Sequence, residues 1–235
     1  MASDAPLHQR PYEPPPGSVT VTLIRHGASA PVVPGRRQPM LDGQGNPPLD
    51  PIGVEQAERT AEALCRPDRH PFEAIYCSTM VRTQQTAEPL AQRTGLTPVV
   101  LADLREVYLG DLEGGLLREA VATGDPIFEQ TMRAERWDTI PGAESEEAFS
   151  ERLARGLAVA VEGRVDQRVA LVVHGGVIAR MLPTGQARAA GRSEAPTTRR
   201  CRSLCSWRTA GAGCAATTSG TGNAFSAPPR AFQVG

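Results

Sequence analysis

Residues 18–25, Ser18-Val19-Thr20-Val21-Thr22-Leu23-Ile24-Arg25, run directly into His26-Gly27. The run is β-branched and apolar, which is the pattern of a buried strand. The design recurs later in the chain, where Val169-Ala170-Leu171-Val172-Val173 runs into His174-Gly175-Gly176. Between the two, strand-like and helix-like segments alternate. Residues 52–65 place Val54, Ala57, Ala61 and Leu64 at helical spacing. Residues 72–77 read as a second strand. Residues 79–94 read as a helix with Ser78 as N-cap and Gly95 as its stop. A third strand is expected over 98–101, a long amphipathic helix over 144–163 and the start of another helix over 176–182. This alternation predicts an α/β fold, with a mostly parallel sheet covered by helices on both faces. Ligands of such sheets bind beyond the carboxyl ends of the strands. That rule directs attention to Arg25-His26-Gly27, to the segment from Ser78 to Arg82, and to His174-Gly175.

The chain has 235 residues, 40% of them hydrophobic and 22% charged, with a net charge of −1. That suffices for one good-sized domain and excludes a general polyanion binder. No apolar run reaches the ~18 residues of a spanning helix. Residues 1–17 hold five Pro, which predicts a disordered lead-in, and they show no basic start followed by an apolar stretch, so no secretory signal is expected. Five Cys without a pattern point to a reducing cytoplasm. All 25 basic residues are Arg. After Leu182 the character changes: residues 183–235 carry seven Arg against one Glu, with little apolar periodicity. The expected organisation is therefore a lead-in over 1–17, a C-terminally incomplete folded domain over 18–182 and a low-complexity tail over 183–235. Cys201, Cys205 and Cys214 lack a nearby His and the spacing of a zinc site, so no metal is expected. The Arg-rich tail is not read as a nucleic-acid binder, and no membrane partner is expected.

Four segments carry chemistry. In Arg25-His26-Gly27, an Arg can neutralise an oxyanion while a neutral imidazole attacks, and Gly lets backbone approach a ligand. In the run from Ser78 to Ala87, Arg82 falls in the first turn of a helix, a favourable place for an anion. His174-Gly175-Gly176 repeats the strand–His–Gly theme and offers a donor to a phosphoryl oxygen. The stretch Leu104-Arg105-Glu106-Val107-Tyr108-Leu109-Gly110-Asp111-Leu112-Glu113-Gly114 supplies Glu106 and Glu113 as candidates to protonate a leaving alkoxide. The other two His, His8 and His70, lie in loop-like sequence.

Together these boxes, with Pro48-Leu49-Asp50-Pro51-Ile52-Gly53-Val54-Glu55-Gln56-Ala57, resemble the histidine phosphatase superfamily, also called phosphoglycerate mutase-like, over about residues 18–182. The resemblance implies a three-layer α/β/α sandwich. It implies that His26 is the nucleophile that becomes phosphohistidine, that Arg25, Arg82 and His174 complete the phosphate pocket beside Gly27 and Gly175, and that Glu106 is the proton donor. It also implies a small phosphorylated substrate, and no cofactor. The chain departs from the family pattern at Ala28, at Val32 where Asn is usual, in Pro34-Gly35-Arg36-Arg37, whose two Arg are candidates to face substrate, and at Leu112 where Trp is usual. These departures favour a phosphatase over a mutase; the other alternative is an inactive remnant of a histidine phosphatase. The acidic region over 111–142 is expected to form a lid. The family's closing strand has no match in 183–235, which leads to the expectation that this stretch is the product of a shifted reading frame and leaves a sheet edge bare.

Overall fold

The computed structural model describes residues 14–33, 35–182, 204–210 and 213–217, the last two as backbone. Strand β1 (Val19–Arg25) pairs in parallel with β6 (Arg168–Val173), in register from Thr20 opposite Arg168 to Arg25 opposite Val173. β6 pairs in parallel with β4 (Ala74–Cys77), and β4 with β5 (Val99–Val100). β7 (Leu204–Ala210) runs antiparallel to β1, and β8 (Gly213–Thr217) antiparallel to β7, giving the order β5-β4-β6-β1-β7-β8. The expectation of a bare edge at β1 is therefore corrected. The segment 183–235 contains two strands, which its weak apolar periodicity hid. The lead-in up to residue 13 and the remainder of the tail lie outside the described residues.

Side-chain alternation along each strand divides the core between the two faces of the sheet. Val21 and Leu23 of β1, Tyr76 of β4, and Val169, Leu171 and Val173 of β6 face one way, toward α5 (Glu146–Val161) and α6 (Gly175–Met181). Ile24, Ile75, Cys77, Ala170 and Val172 face the other, toward α1 (Pro51–Leu64) and α2 (Val81–Thr94). This is a three-layer α/β/α sandwich. Among the described residues no helix is long and apolar enough to cross a membrane.

Helix ends follow local chemistry. Asp50 caps α1, its Oδ1 accepting from Gly53 N at 2.7 Å with Pro51 in the first turn, and Gly95 ends α2 with φ 71°. Ser145 caps α5 through Ala148 N at 3.1 Å. Two sequence expectations are corrected here. Val54 is exposed, and Gly53 takes its place on the buried face of α1. Ser78 does not cap α2, which begins at Val81; its hydroxyl instead takes the Met80 N–H at 3.2 Å, and Asn46 Oδ1 takes that of Val81 at 2.9 Å.

The region over 111–142 forms its own small unit. Helices α3 (Leu116–Thr123) and α4 (Pro126–Ala134) and two 3₁₀ turns gather Leu112, Leu117, Ala120 and Ile140 into a separate apolar cluster. The loop expected over 26–50 also holds a short hairpin, β2 (Met40–Leu41) and β3 (Gln44–Gly45), turned by Asp42 and Gly43 at positive φ.

Candidate active site

Register brings the two His together. Because Arg25 lies opposite Val173, β1 and β6 end at the same level, and His26 N donates to Val173 O at 3.0 Å. The rings of His26 and His174 then meet edge-on, with centroids 5.1 Å apart. β4 ends beside β6, which sets Ser78 Oγ 2.8 Å from His174 Nε2.

The hydrogen bonds of His26 fix its tautomer. Its Nδ1 lies 2.7 Å from the Gly27 carbonyl oxygen, which can only accept, so Nδ1 carries the hydrogen. Nε2 is left as a lone pair and accepts from Arg82 Nε at 3.3 Å. Burial, and then the Arg82 charge, hold the imidazole down to about 3, so the ring is neutral near pH 7. His174 is fully buried and held well below its ordinary value, first by burial and then by Arg82. Its Nδ1 has no hydrogen-bond partner among the described residues.

A cleft of about 90 Å3 opens over these groups, lined by His26, Arg82 and Glu106 of the expected set. Arg82, on the first turn of α2, is held by Gly45 O at 3.0 Å. The Glu106 carboxylate accepts from Val107 N at 3.0 Å and Gly176 N at 2.9 Å. Burial pushes its proton affinity up, partly offset by those N–H groups and by Arg82 and Arg25.

The remaining expected residues, Arg25, Gly27, His174 and Gly175, are not among those that line this cleft. The Arg25 guanidinium packs on Gly175, with its Cζ 3.5 Å from where a Cβ would sit. Gly27 serves packing more than ligand approach: a Cβ there would strike the Gly53 carbonyl, just as a Cβ on Gly53 would strike that of Ala28. The first turn of α1 and the loop after β1 therefore meet backbone to backbone. Thr86 Oγ1 accepts the Gly27 N–H at 3.1 Å. Arg36 and Arg37 are exposed and line none of the cleft. His70 is exposed, and His8 lies outside the described residues.

Sequence reasoning missed several cleft residues. Arg118, on α3, lines the cleft and donates to Ala30 O at 3.0 Å and Ser29 Oγ at 2.6 Å. Its charge contributes to the lowering of His26. Nothing in its surroundings in the sequence distinguishes it from a surface Arg. Gln44 also lines the cleft and donates to Glu106 O at 3.0 Å. The Asp42-Gly43 pair, a hairpin signal, points to its position. Glu113, weighed against Glu106 as proton donor, accepts from Gly45 N at 2.8 Å and Leu109 N at 2.9 Å, which ties the hairpin to the lid. Among the described residues no group of three or more His, Cys, Asp or Glu is arranged to hold a metal ion.

A buried neutral imidazole beside an Arg, under a cleft walled by a carboxyl group, at the ends of the parallel strands of an α/β sandwich, can receive an anionic group such as a phosphoryl. The histidine phosphatase superfamily (branch 1) model matches residues 21–204, and the chain belongs to that superfamily. It is 31% identical over 176 residues to the metal-independent phosphoserine phosphatase of Arabidopsis thaliana, covering 73% of this chain and 71% of that protein. It is 30% identical over 164 residues to the probable phosphoglycerate mutase GpmB of Yersinia pestis, covering 70% and 73%. The mycobacterial glucosyl-3-phosphoglycerate phosphatase structure superposes with a TM-score of 0.56 at 31% identity, covering 68% of this chain and 76% of that one. A 36% identical match to the PE-PGRS family protein PE_PGRS11 of Mycobacterium tuberculosis spans 97 residues, 16% of that longer protein.

Proposed function

We propose that the protein is a cytoplasmic phosphatase that hydrolyses small phosphate monoesters through a phosphohistidine on His26, with Glu106 as proton donor and without a metal. The observation that carries this reading is the state of His26: a neutral ring, with Nδ1–H tied to Gly27 O and the Nε2 lone pair beside Arg82. In the first step Nε2 attacks phosphorus, the P–N bond forms and the ester P–O bond breaks. Glu106, whose proton affinity burial raises, gives its proton to the departing alkoxide. In the second step the Glu106 carboxylate takes a proton from water, the oxygen attacks phosphorus and the P–N electron pair returns to Nε2.

Charge stabilisation falls to Arg82 and Arg25, which reduces the call on a metal. His174 Nδ1 is a buried nitrogen that gains a partner when a phosphoryl oxygen arrives, provided that Ser78 donates to Nε2. The cleft is well below the roughly 300 Å3 of a drug-sized pocket, which suits a phosphoryl group with a small alcohol. Mutase-type transfer would use the same His26. The departures at Ala28 and Val32 place hydrolysis ahead of it.

The test is hydrolysis of an aryl phosphate in the presence of a chelator, with His26→Ala alongside. The expected loss is roughly 10⁴-fold or more in kcat. Equal rates for the two proteins would sink the reading, and loss of activity on adding chelator would sink its metal-free part.

A further inference from the structure

Arg152 sits on α5, away from the cleft, yet every one of its five N–H donors is in use. Nε and Nη2 grip Glu144 side-on, at 2.7 Å to Oε1 and 2.7 Å to Oε2. Nη1 donates to two backbone carbonyls, Asp103 O at 3.0 Å and Arg105 O at 2.7 Å. The second Nη2 hydrogen goes to Glu106 O at 2.8 Å. The pair is largely buried, the two side chains being 14% and 15% exposed. The chain over 105–109 is neither helix nor strand, so its carbonyls have no ladder to satisfy them. Glu144 completes the grip: its N donates to Tyr108 O at 2.9 Å and its Oε2 accepts from Tyr108 N at 3.3 Å. Gln44 Nε2 donates to the same Glu106 carbonyl at 3.0 Å.

We infer that the Arg152–Glu144 pair is a positioning clamp for the proton donor. It fixes the backbone of Glu106 so that the carboxyl group stays over the cleft against Gly176 N. The inference rests on the reading of Glu106 as the acid. A planar guanidinium suits this task because it can bind three carbonyls and a carboxylate in one plane, whereas an ammonium offers three donors without the fork. Burial makes the pair a poor source of net stability, since both charges are desolvated. Its geometry is better explained by the precision it imposes on residues 103–108.

Leaving-group dependence separates positioning from mere folding. A nitrophenolate departs without a proton, whereas an alkoxide needs one. The kcat/KM for an alkyl phosphate and for 4-nitrophenyl phosphate is measured on one preparation each of the wild type, Arg152→Lys, Glu144→Gln, Glu106→Gln and the Arg152→Lys/Glu106→Gln double variant. The ratio of the two values is independent of the fraction folded. Arg152→Lys is expected to lower the alkyl value by roughly 10–100-fold, as a misplaced catalytic group does, with little change for the nitrophenyl ester. Glu144→Gln shifts the ratio in the same direction. The double variant loses no more than Glu106→Gln alone. A uniform loss for both esters in Arg152→Lys, or losses that add in the double variant, overturns the clamp while leaving Glu106 as acid. A Glu106→Gln variant with no leaving-group preference overturns the reading of Glu106, and the clamp with it.

Discussion

The floor of the cleft and the lid above it are built on different terms. The floor stands on β1 and β6, whose inner residues Val21, Leu171, Val172 and Val173 are completely buried. His26 and His174 are the next residues along those two strands, so sheet register alone sets them side by side. The lid rests on four buried residues, Leu112, Leu117, Ala120 and Ile140, and meets the loop after β1 through Gly115, Val32 and Gln38. Two hydrogen bonds from Arg118 to Ala30 O and Ser29 Oγ tie it down further. A group placed by a sheet is held with the stability of the whole domain, while one placed by a small cluster is held with the stability of that cluster. On the proposed reading the floor therefore suits chemistry, which needs exact geometry, and the 111–142 unit, which lines the cleft, suits selection of substrate.

The largest effects should fall on the proposed nucleophile, His26 on the floor, and on the proposed acid, Glu106 on the cleft wall. kcat/KM is expected to rise with pH as His26 loses its proton near about 3, because the lone pair is required. It should fall as pH climbs through the raised value of Glu106, because the protonated acid is required. Glu106→Gln should cost about 10²–10⁴-fold for alkyl esters and remove the alkaline limb. A pH–rate profile whose alkaline limb survives in Glu106→Gln would move the acid elsewhere. Glu113, on the lid side, is the next carboxyl group in the cleft.

The next contrast is in stability. Leu171→Ala opens a cavity at the centre of the sheet and should cost about 2–5 kcal/mol in urea unfolding. Leu117→Ala removes a similar side chain from the lid cluster. It should instead show mainly as faster hydrogen exchange over 116–123, with a smaller shift of the global midpoint. Equal global losses would mean that lid and sheet unfold as one unit.

The same contrast explains what the sequence shows of the fold and what it hides. Strands that are β-branched and apolar announce themselves, and β1 and β6 each run into a His, so both are legible in the sequence. The helix over 52–65 was visible through its spacing and the one over 79–94 through Ser78 and the stop at Gly95, but their details were not. Val54 fits the helical pattern yet points outward, because α1 must present a glycine to the backbone at Ala28 and Gly53 is the residue that does so. Arg118, Gln44 and the Arg152–Glu144 pair were hidden for another reason. Each acts on a backbone carbonyl far away in sequence, 88 residues away for Arg118 and Ala30, and no periodicity encodes that. The strands β7 and β8 were hidden because neither Leu204-Cys205-Ser206-Trp207-Arg208-Thr209-Ala210 nor Gly213-Cys214-Ala215-Ala216-Thr217 shows a regular apolar alternation.

The smallest effect expected in the cleft itself belongs to Arg118→Ala. Arg118 lies on the cleft wall, opposite a site where, on the proposed reading, Arg82 and Arg25 already meet the charge of the phosphoryl group. Its contribution should be the same in the bound substrate and in the transition state, because lid contacts do not follow charge moving between phosphorus and the leaving oxygen. KM should therefore rise roughly tenfold, the scale of one lost charged hydrogen bond, while kcat changes little. The loss should be screened by added salt. A fall in kcat at constant KM would instead place Arg118 with the floor, as a group that binds the phosphoryl oxygens during transfer, and the division between a floor for chemistry and a lid for selection would have to be redrawn.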